Sequence, residues 1–194
     1  MSKRKSEMQV HVARDPFRSL QDATRVHRRE HGCGAYTFED GAGLIDLSAR
    51  FRPNRILELG TALGYTSCCL AFGSPDAHVD TIERDPLHVE LARRNITAAN
   101  LASRINVHEG DFSDVLPLLS RKYNFAFFDG FAPDVHVLKL LADLLTPEGV
   151  LVCANLALAP PEGARLIMSM LSDPKSWRPI SAIEAGATTV WVKH

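Results

Sequence analysis

Residues 55–70 constrain this chain more than any other stretch. An apolar run, Arg55-Ile56-Leu57, meets the acid Glu58; Gly60 to Gly64 then form a turn, and Tyr65-Thr66-Ser67-Cys68-Cys69-Leu70 reads as a helix. A strand, a tight glycine turn and a helix in that order open a nucleotide-binding βαβ unit. Further strand-like runs follow at 78–82, 105–108, 124–128 and 149–153. Helical patterns separate them at 65–72, 86–98, 134–145 and 161–172, the clearest carrying Val135, Leu138, Leu141, Ala142 and Leu145 as one apolar stripe. Strands alternating with helices predict a parallel sheet covered on both faces.

Two helices are expected ahead of the first strand, over 16–30 and 39–51, with His31-Gly32-Cys33-Gly34 breaking the first. Ile180-Ser181-Ala182-Ile183 and Thr188-Thr189-Val190-Trp191-Val192 read as an antiparallel pair at the sheet edge. The fold class is therefore α/β: a Rossmann-like, doubly wound sheet, mostly parallel, with an antiparallel C-terminal edge strand. Residues 188–193 at that edge are where a second copy would pair, giving a homodimer. The 194 residues suffice for one substantial core. A formal net charge of −1 gives no electrostatic pull toward nucleic acid or membrane. Lys3-Arg4-Lys5 is not followed by an apolar segment, so it reads as a solvated tail over 1–15 rather than a signal peptide. No apolar run reaches the length of a membrane span. Cys33, Cys68, Cys69 and Cys153 contain no CxxC pair, so neither zinc nor a disulfide framework is expected, and reduced thiols point to the cytoplasm.

The turn also limits the ligand. A dinucleotide fingerprint needs a second glycine so that backbone can approach the pyrophosphate, and Ala62 stands there with a β-carbon in the way. A ligand with an adenosine and an amino acid but no phosphate, such as S-adenosylmethionine, fits better, and Glu58 suits its ammonium. Ligands of open α/β sheets bind outside the carboxyl ends of the strands. There Glu83, followed by Arg84, is placed to accept ribose hydroxyls. Asp111 is placed to accept from an adenine amino group, with Phe112 packing on the ring. Asp129 follows the apolar run Phe125-Ala126-Phe127-Phe128, where an acid is expensive unless solvated or paired.

These residues resemble a class I S-adenosylmethionine-dependent methyltransferase, and more narrowly the small catechol and caffeoyl-CoA O-methyltransferases. Leu57-Glu58-Leu59-Gly60-Thr61-x-x-Gly64-Tyr65-Thr66 lies close to that family's E-x-G-T-x-x-G-Y-S; Thr81-Ile82-Glu83 and Phe127-Phe128-Asp129-Gly130 also match. The resemblance implies a cofactor-binding methyltransferase domain over 36–194, preceded by a tail and helix over 1–35 that would serve as a substrate lid. It implies a cofactor site of Tyr36, Glu58, Gly60, Thr61, Gly64, Thr66, Glu83, Arg84, Gly110, Asp111, Phe112 and Asp129. In it Gly60 and Gly64 shape the methionine pocket, and Thr66 binds the carboxylate. Asp129 sits near the sulfonium and is the catalytic residue. Tyr36 and Thr37 line the methionine end.

Two departures bear on mechanism. Metal-dependent members carry an adjacent Asp-Asn after the fifth strand, where this chain has Ala154-Asn155. Their catalytic lysine is missing from Phe131-Ala132-Pro133-Asp134. A hard cation draws most of its affinity from carboxylates, so no bound metal is expected. The base would be Asp129, with His136 next; His31 could lie on a lid. Phe131, Ala132, Leu156 and Leu158 point to a partly apolar acceptor pocket. The expectation is metal-independent methylation of a small molecule at oxygen. Methylation at nitrogen or carbon stays open, as does a catalytically degenerate cofactor-binding protein; a nicotinamide dehydrogenase is disfavoured by Ala62.

Overall fold

A computed structural model describes residues 15–33 and 36–194. The basic run Lys3-Arg4-Lys5, nearly all of the expected tail and Gly34 of the expected helix break lie outside the described residues. Two helices, α1 (Arg18–His31) and α2 (Gly41–Phe51), precede the sheet. Then come β1 (Arg55–Leu59), α3 (Tyr65–Gly73), β2 (His78–Glu83), α4 (Pro86–Ala98), β3 (Ile105–Glu109), the short α5 (Phe112–Val115) and β4 (Tyr123–Phe128). The chain closes with α6 (Val135–Leu144), β5 (Leu145–Cys153), α7 (Pro161–Leu171), β6 (Trp177–Ile183) and β7 (Thr188–Lys193). No helix among the described residues is long and apolar enough to cross a membrane.

The seven strands run β3-β2-β1-β4-β5-β7-β6. β1 is parallel to both β2 and β4, and β7 is antiparallel to β5 and β6. The order reverses between β1 and β4, and such a switch point leaves a crevice at the carboxyl ends of the two strands. Alternate residues of each strand feed opposite faces. Ile56, Phe125, Phe127, Val150 and Val152 face one core, with Leu44, Leu70, Val89 and Ile96 of α2, α3 and α4. Leu57, Ala126, Phe128, Leu151 and Cys153 face the other, with Leu138 and Leu141 of α6 and Ile167 and Leu171 of α7.

One expectation is corrected. Residues 188–193 are not the edge: β7 is hydrogen-bonded on one side to β5 and on the other to β6. The edge on this side of the sheet belongs to β6, whose pairing shifts register between Pro179 and Ser181. A proline and an irregularity on an edge strand discourage pairing with another chain. The homodimer contact envisaged at 188–193 therefore has no free backbone to use.

Two carboxyl groups are buried within the sheet, with opposite outcomes. Asp80 accepts hydrogen bonds from the Tyr123 hydroxyl at 2.9 Å and from the side chains of His108 at 2.8 Å and Asn106 at 3.2 Å. Burial alone would raise its pKa, but those donors hold it down at about 2. Glu58 is fully buried at the end of β1, and its Oε2 accepts from the hydroxyls of Ser67 and Thr81, the latter at 2.6 Å. Its Oε1 is buried with no partner among the described residues. Burial dominates there, and the Glu58 carboxyl is pushed up to about 7 despite the hydroxyls of Ser67, Thr66 and Thr81.

The consequence for stability is specific in sign. The Glu58 pKa is higher in the folded protein than in the unfolded chain, so folding favours the protonated acid. That contribution is complete below the unfolded pKa of 4.5 and is lost as the pH rises to about 7. Glu58→Gln keeps the shape and cannot ionise. The stability difference between Glu58→Gln and wild type should move in favour of the variant by about 3 kcal/mol between about pH 4 and about pH 8. Urea unfolding at both pH values reads this; an unchanged difference would contradict it.

Candidate active site

The crevice at the switch point is a cavity of about 440 Å³, within the range of small-molecule sites. Its floor is the turn between β1 and α3. Gly60 takes φ +98°, and a β-carbon there would stand 2.7 Å from the backbone oxygen of Asp129. Only glycine lets the two chain segments pass so closely. Ala62 also has positive φ, at 44°. That costs about 1 kcal/mol for a residue with a β-carbon, and its amide is held by Glu83 Oε2 at 2.9 Å. Gly64, at φ +88°, caps the start of α3. The Thr61 hydroxyl donates to Thr81 at 2.6 Å, and Thr81 in turn donates to Glu58. Glu58 thus sits beneath the turn and supports the cavity through two threonines without lining it.

Glu83 stands at one end. Besides Ala62, the amides of Arg84 and Asp85 donate to its Oε1 at 2.9 and 3.0 Å. Burial opposes its ionisation, but His88 and the amides of Asp85 and Ala62 hold its pKa below the usual range. A carboxylate offers about four acceptor positions. Three are taken by backbone, which leaves one on Oε2. Nearby, Arg84 and Asp111 form an exposed pair at 3.8 Å, worth little in stability. Gly110 takes φ +146°, and Phe112 packs edge-on against Phe128 at 6.2 Å.

Asp129 stands at the other end. Its amide continues the ladder to Leu59 at 2.9 Å, and its Oδ1 accepts from Asn155 Nδ2 at 3.2 Å. Asn155 is itself in the left-handed conformation, at φ 61°, and also donates to the Gly130 carbonyl at 2.8 Å. Burial first, then the charges of Glu58 and Glu184, raise the Asp129 pKa well above the ordinary carboxylate range. A cation placed at this end would favour the ionised form of Asp129.

Of the residues expected at the cofactor, Tyr36, Gly60, Thr61, Thr66, Glu83, Arg84, Gly110, Asp111, Phe112 and Asp129 line this one cavity. Glu58, beneath the turn, and Gly64, at the start of α3, are not in the lining. His136 is exposed on α6 and is not part of the lining, whereas Phe131 and Ala132 are. The rim also carries Thr24, Cys33 and His88, which the strand-end reasoning missed. For His88 a signal existed. Asp85 caps α4 through the amides of Leu87 and His88, and Pro86 starts the helix, so the third helical residue returns toward the acid at the strand end. Thr37 Oγ1 is buried with no hydrogen-bond partner among the described residues and belongs to the lining. A polar atom left unsatisfied at a cavity wall is what a bound ligand would satisfy.

The chain is similar to an O-methyltransferase, imqG, of Aspergillus flavus, with 40% identity over 133 residues that cover 57% of this chain and 53% of that protein. It is similar to a catechol O-methyltransferase of Mycobacterium tuberculosis, with 35% identity over 97 residues, 49% of this chain and 44% of that one. The chain thus spans about half the length of these curated relatives. Its fold superposes on the O-methyltransferase TomG of Streptomyces achromogenes, solved in complex with SAM, with a TM-score of 0.79, 24% identity and coverage of 95% and 92% of the two chains. The model of the methyltransferase domain family matches residues 57–156, from the first strand to Leu156 beyond the end of β5. That match covers more than half of the sequence and both ends of the cavity, and the chain belongs to the methyltransferase domain family.

Proposed function

We propose that the protein is an S-adenosylmethionine-dependent methyltransferase that methylates a small, partly apolar molecule at oxygen, without a divalent cation at Asp129. The observation that carries this reading is the pairing, in one cavity, of a backbone-locked acid with a spare acceptor position, Glu83, and an acid of raised pKa, Asp129. The cofactor would supply an electrophilic methyl group on a positively charged sulfur. Oε2 of Glu83 has room for one ribose hydroxyl, and Gly110 to Phe112 would flank the adenine. Thr37, Thr66 and Tyr36 would meet the amino-acid end. The negative field of Asp129, Glu58 and Glu184 suits the sulfonium, and a cation beside Asp129 would return it to the carboxylate form.

In-line displacement needs the acceptor oxygen held near the methyl carbon and its proton removed. Asp129 is the residue for that proton: a carboxylate of raised pKa is a stronger base than an ordinary one, and Asn155 fixes its orientation. Phe131 and Leu158, both exposed at the sheet end, would form an apolar lip for the acceptor. α1 and Cys33 after it would cover it as a lid, supported by Thr24 and Cys33 in the lining.

The donor set around Asp129 does not fit a hard cation. Ala154 offers only a methyl group, and the Asn155 amide donates to Asp129 and Gly130. Magnesium takes oxygen donors in a near-octahedral arrangement, with carboxylates supplying charge. The cavity size and the near-neutral net charge favour a small molecule over nucleic acid. Three buried cysteines, Cys68, Cys69 and Cys153, fit a reducing, cytoplasmic setting.

Calorimetric titration with S-adenosylhomocysteine should show binding in the micromolar range, weakened about 10–100-fold in Glu83→Ala by the loss of a charged acceptor. Equal affinity in the two proteins would contradict the ribose assignment. With an acceptor in hand, Asp129→Asn should lower kcat by about 10²–10⁴-fold and abolish the rise of rate with pH that a raised-pKa base imposes. Added magnesium should leave wild-type turnover unchanged. A magnesium-stimulated rate, or a pH profile retained in Asp129→Asn, would count against the mechanism.

A further inference from the structure

Beside the cavity rim, three histidines and a cysteine from separate parts of the chain converge. His27 and His31 lie four residues apart near the end of α1 and so share a face. Gly32 then takes the left-handed conformation, φ 65°, and turns the chain so that Cys33 joins them. His88 arrives from the first turn of α4. The rings of His27 and His31 stack at 4.8 Å, and those of His27 and His88 meet at 5.1 Å. One ligand atom from each of the four residues lies within 4.8 Å of every other.

Two ring nitrogens of the cluster are buried without a hydrogen-bond partner among the described residues. His88 is 4% exposed, and among the described residues its Nε2 has no hydrogen-bond partner; the same holds for the buried Nε2 of His27. A buried ring nitrogen without a partner is costly. The other nitrogen of His88, Nδ1, lies 3.8 Å from Glu83 Oε1. A carboxylate beside one ring nitrogen is the kind of neighbour that orients a metal-bound histidine when the two close to hydrogen-bond distance.

We propose that His27, His31, Cys33 and His88 form a tetrahedral site for zinc, clasping the end of α1 to α4 at the rim of the cavity. Three imidazoles and a thiolate suit a borderline-soft divalent ion and disfavour magnesium or calcium. Bonds of about 2.0–2.3 Å place tetrahedral ligands about 3.5 Å apart. His31, exposed, and Cys33, half-buried, have room to close the remaining distance. The four ligands complete the coordination, so the ion would be structural. It would hold the end of α1 and Cys33 in place, and it would tie them to Glu83 through His88.

Titration of the untagged, reduced, metal-free full chain with cobalt(II) tests this without any assay of turnover. One equivalent should give the intense visible bands of tetrahedral cobalt and a near-ultraviolet thiolate-to-cobalt band, both removed by added zinc. Cys33→Ser should lose the thiolate band. His31→Ala, a change at an exposed position, should weaken cobalt binding at least tenfold, with circular dichroism confirming the fold. Zinc should raise the Tm of wild type and not of His31→Ala. A weak octahedral spectrum, no stoichiometric binding, or bands unchanged in both variants would overturn the site.

Discussion

The carboxyl group of Glu58 lies where β1, β2 and α3 meet, and much of the binding end of the molecule is arranged around it. Its oxygen gathers the hydroxyls of Ser67 and Thr81, and Thr81 gathers that of Thr61. Those contacts join the start of α3, the second strand and the glycine turn into one unit. The cost is a buried acid with one unpartnered oxygen, held close to half-protonated at neutral pH. A polar group so placed rigidifies its surroundings when its bonds are made and destabilises them when they are not. The strain is local, and the apolar strands β1 and β4 on either side of the crevice supply the burial that offsets it.

From that unit outward, the cavity separates two kinds of acid. Glu83 is surrounded by amide donors and stays ionised, so it can receive hydrogen bonds from a ligand. Asp129 is buried, has one side-chain donor among the described residues and two acidic neighbours, so it holds a proton more tightly than a carboxylate in water. Their environments push the two pKa values apart, and on the proposed reading that separation would let one acid bind and the other act as a base. With Ala154 next to Asn155 there is no second carboxylate beside Asp129, and the proposed chemistry rests on Asp129 without a cation.

Much of this could be read in the residues. β1 and α4 begin and end where periodicity places them, and the strand ends at Glu83, Gly110 and Asp129 converge because a parallel sheet brings its carboxyl ends to one side. Other features were hidden for physical reasons. Glu58 reads as a ligand contact because sequence position cannot say whether a strand-terminal acid points up to the cavity or down beneath the turn. The edge was misplaced because antiparallel pairing of 177–183 with 188–193 is compatible with either strand lying outermost. The short α5 is only four residues long and has no periodicity to detect. The convergence of His88 with His27, His31 and Cys33 depends on how α1 docks against the rest of the fold, and a local pattern carries no record of that packing.

The central claim is that the crevice at the β1–β4 switch point holds the cofactor between Glu83 and Asp129. A crystal structure of the protein with S-adenosylhomocysteine tests it most directly. The account predicts the ribose against Glu83 Oε2, the adenine beside Gly110 to Phe112, and the sulfur close to Asp129. A ligand bound along α4 outside the cavity, or lying in it with its ribose away from Glu83, would contradict the account.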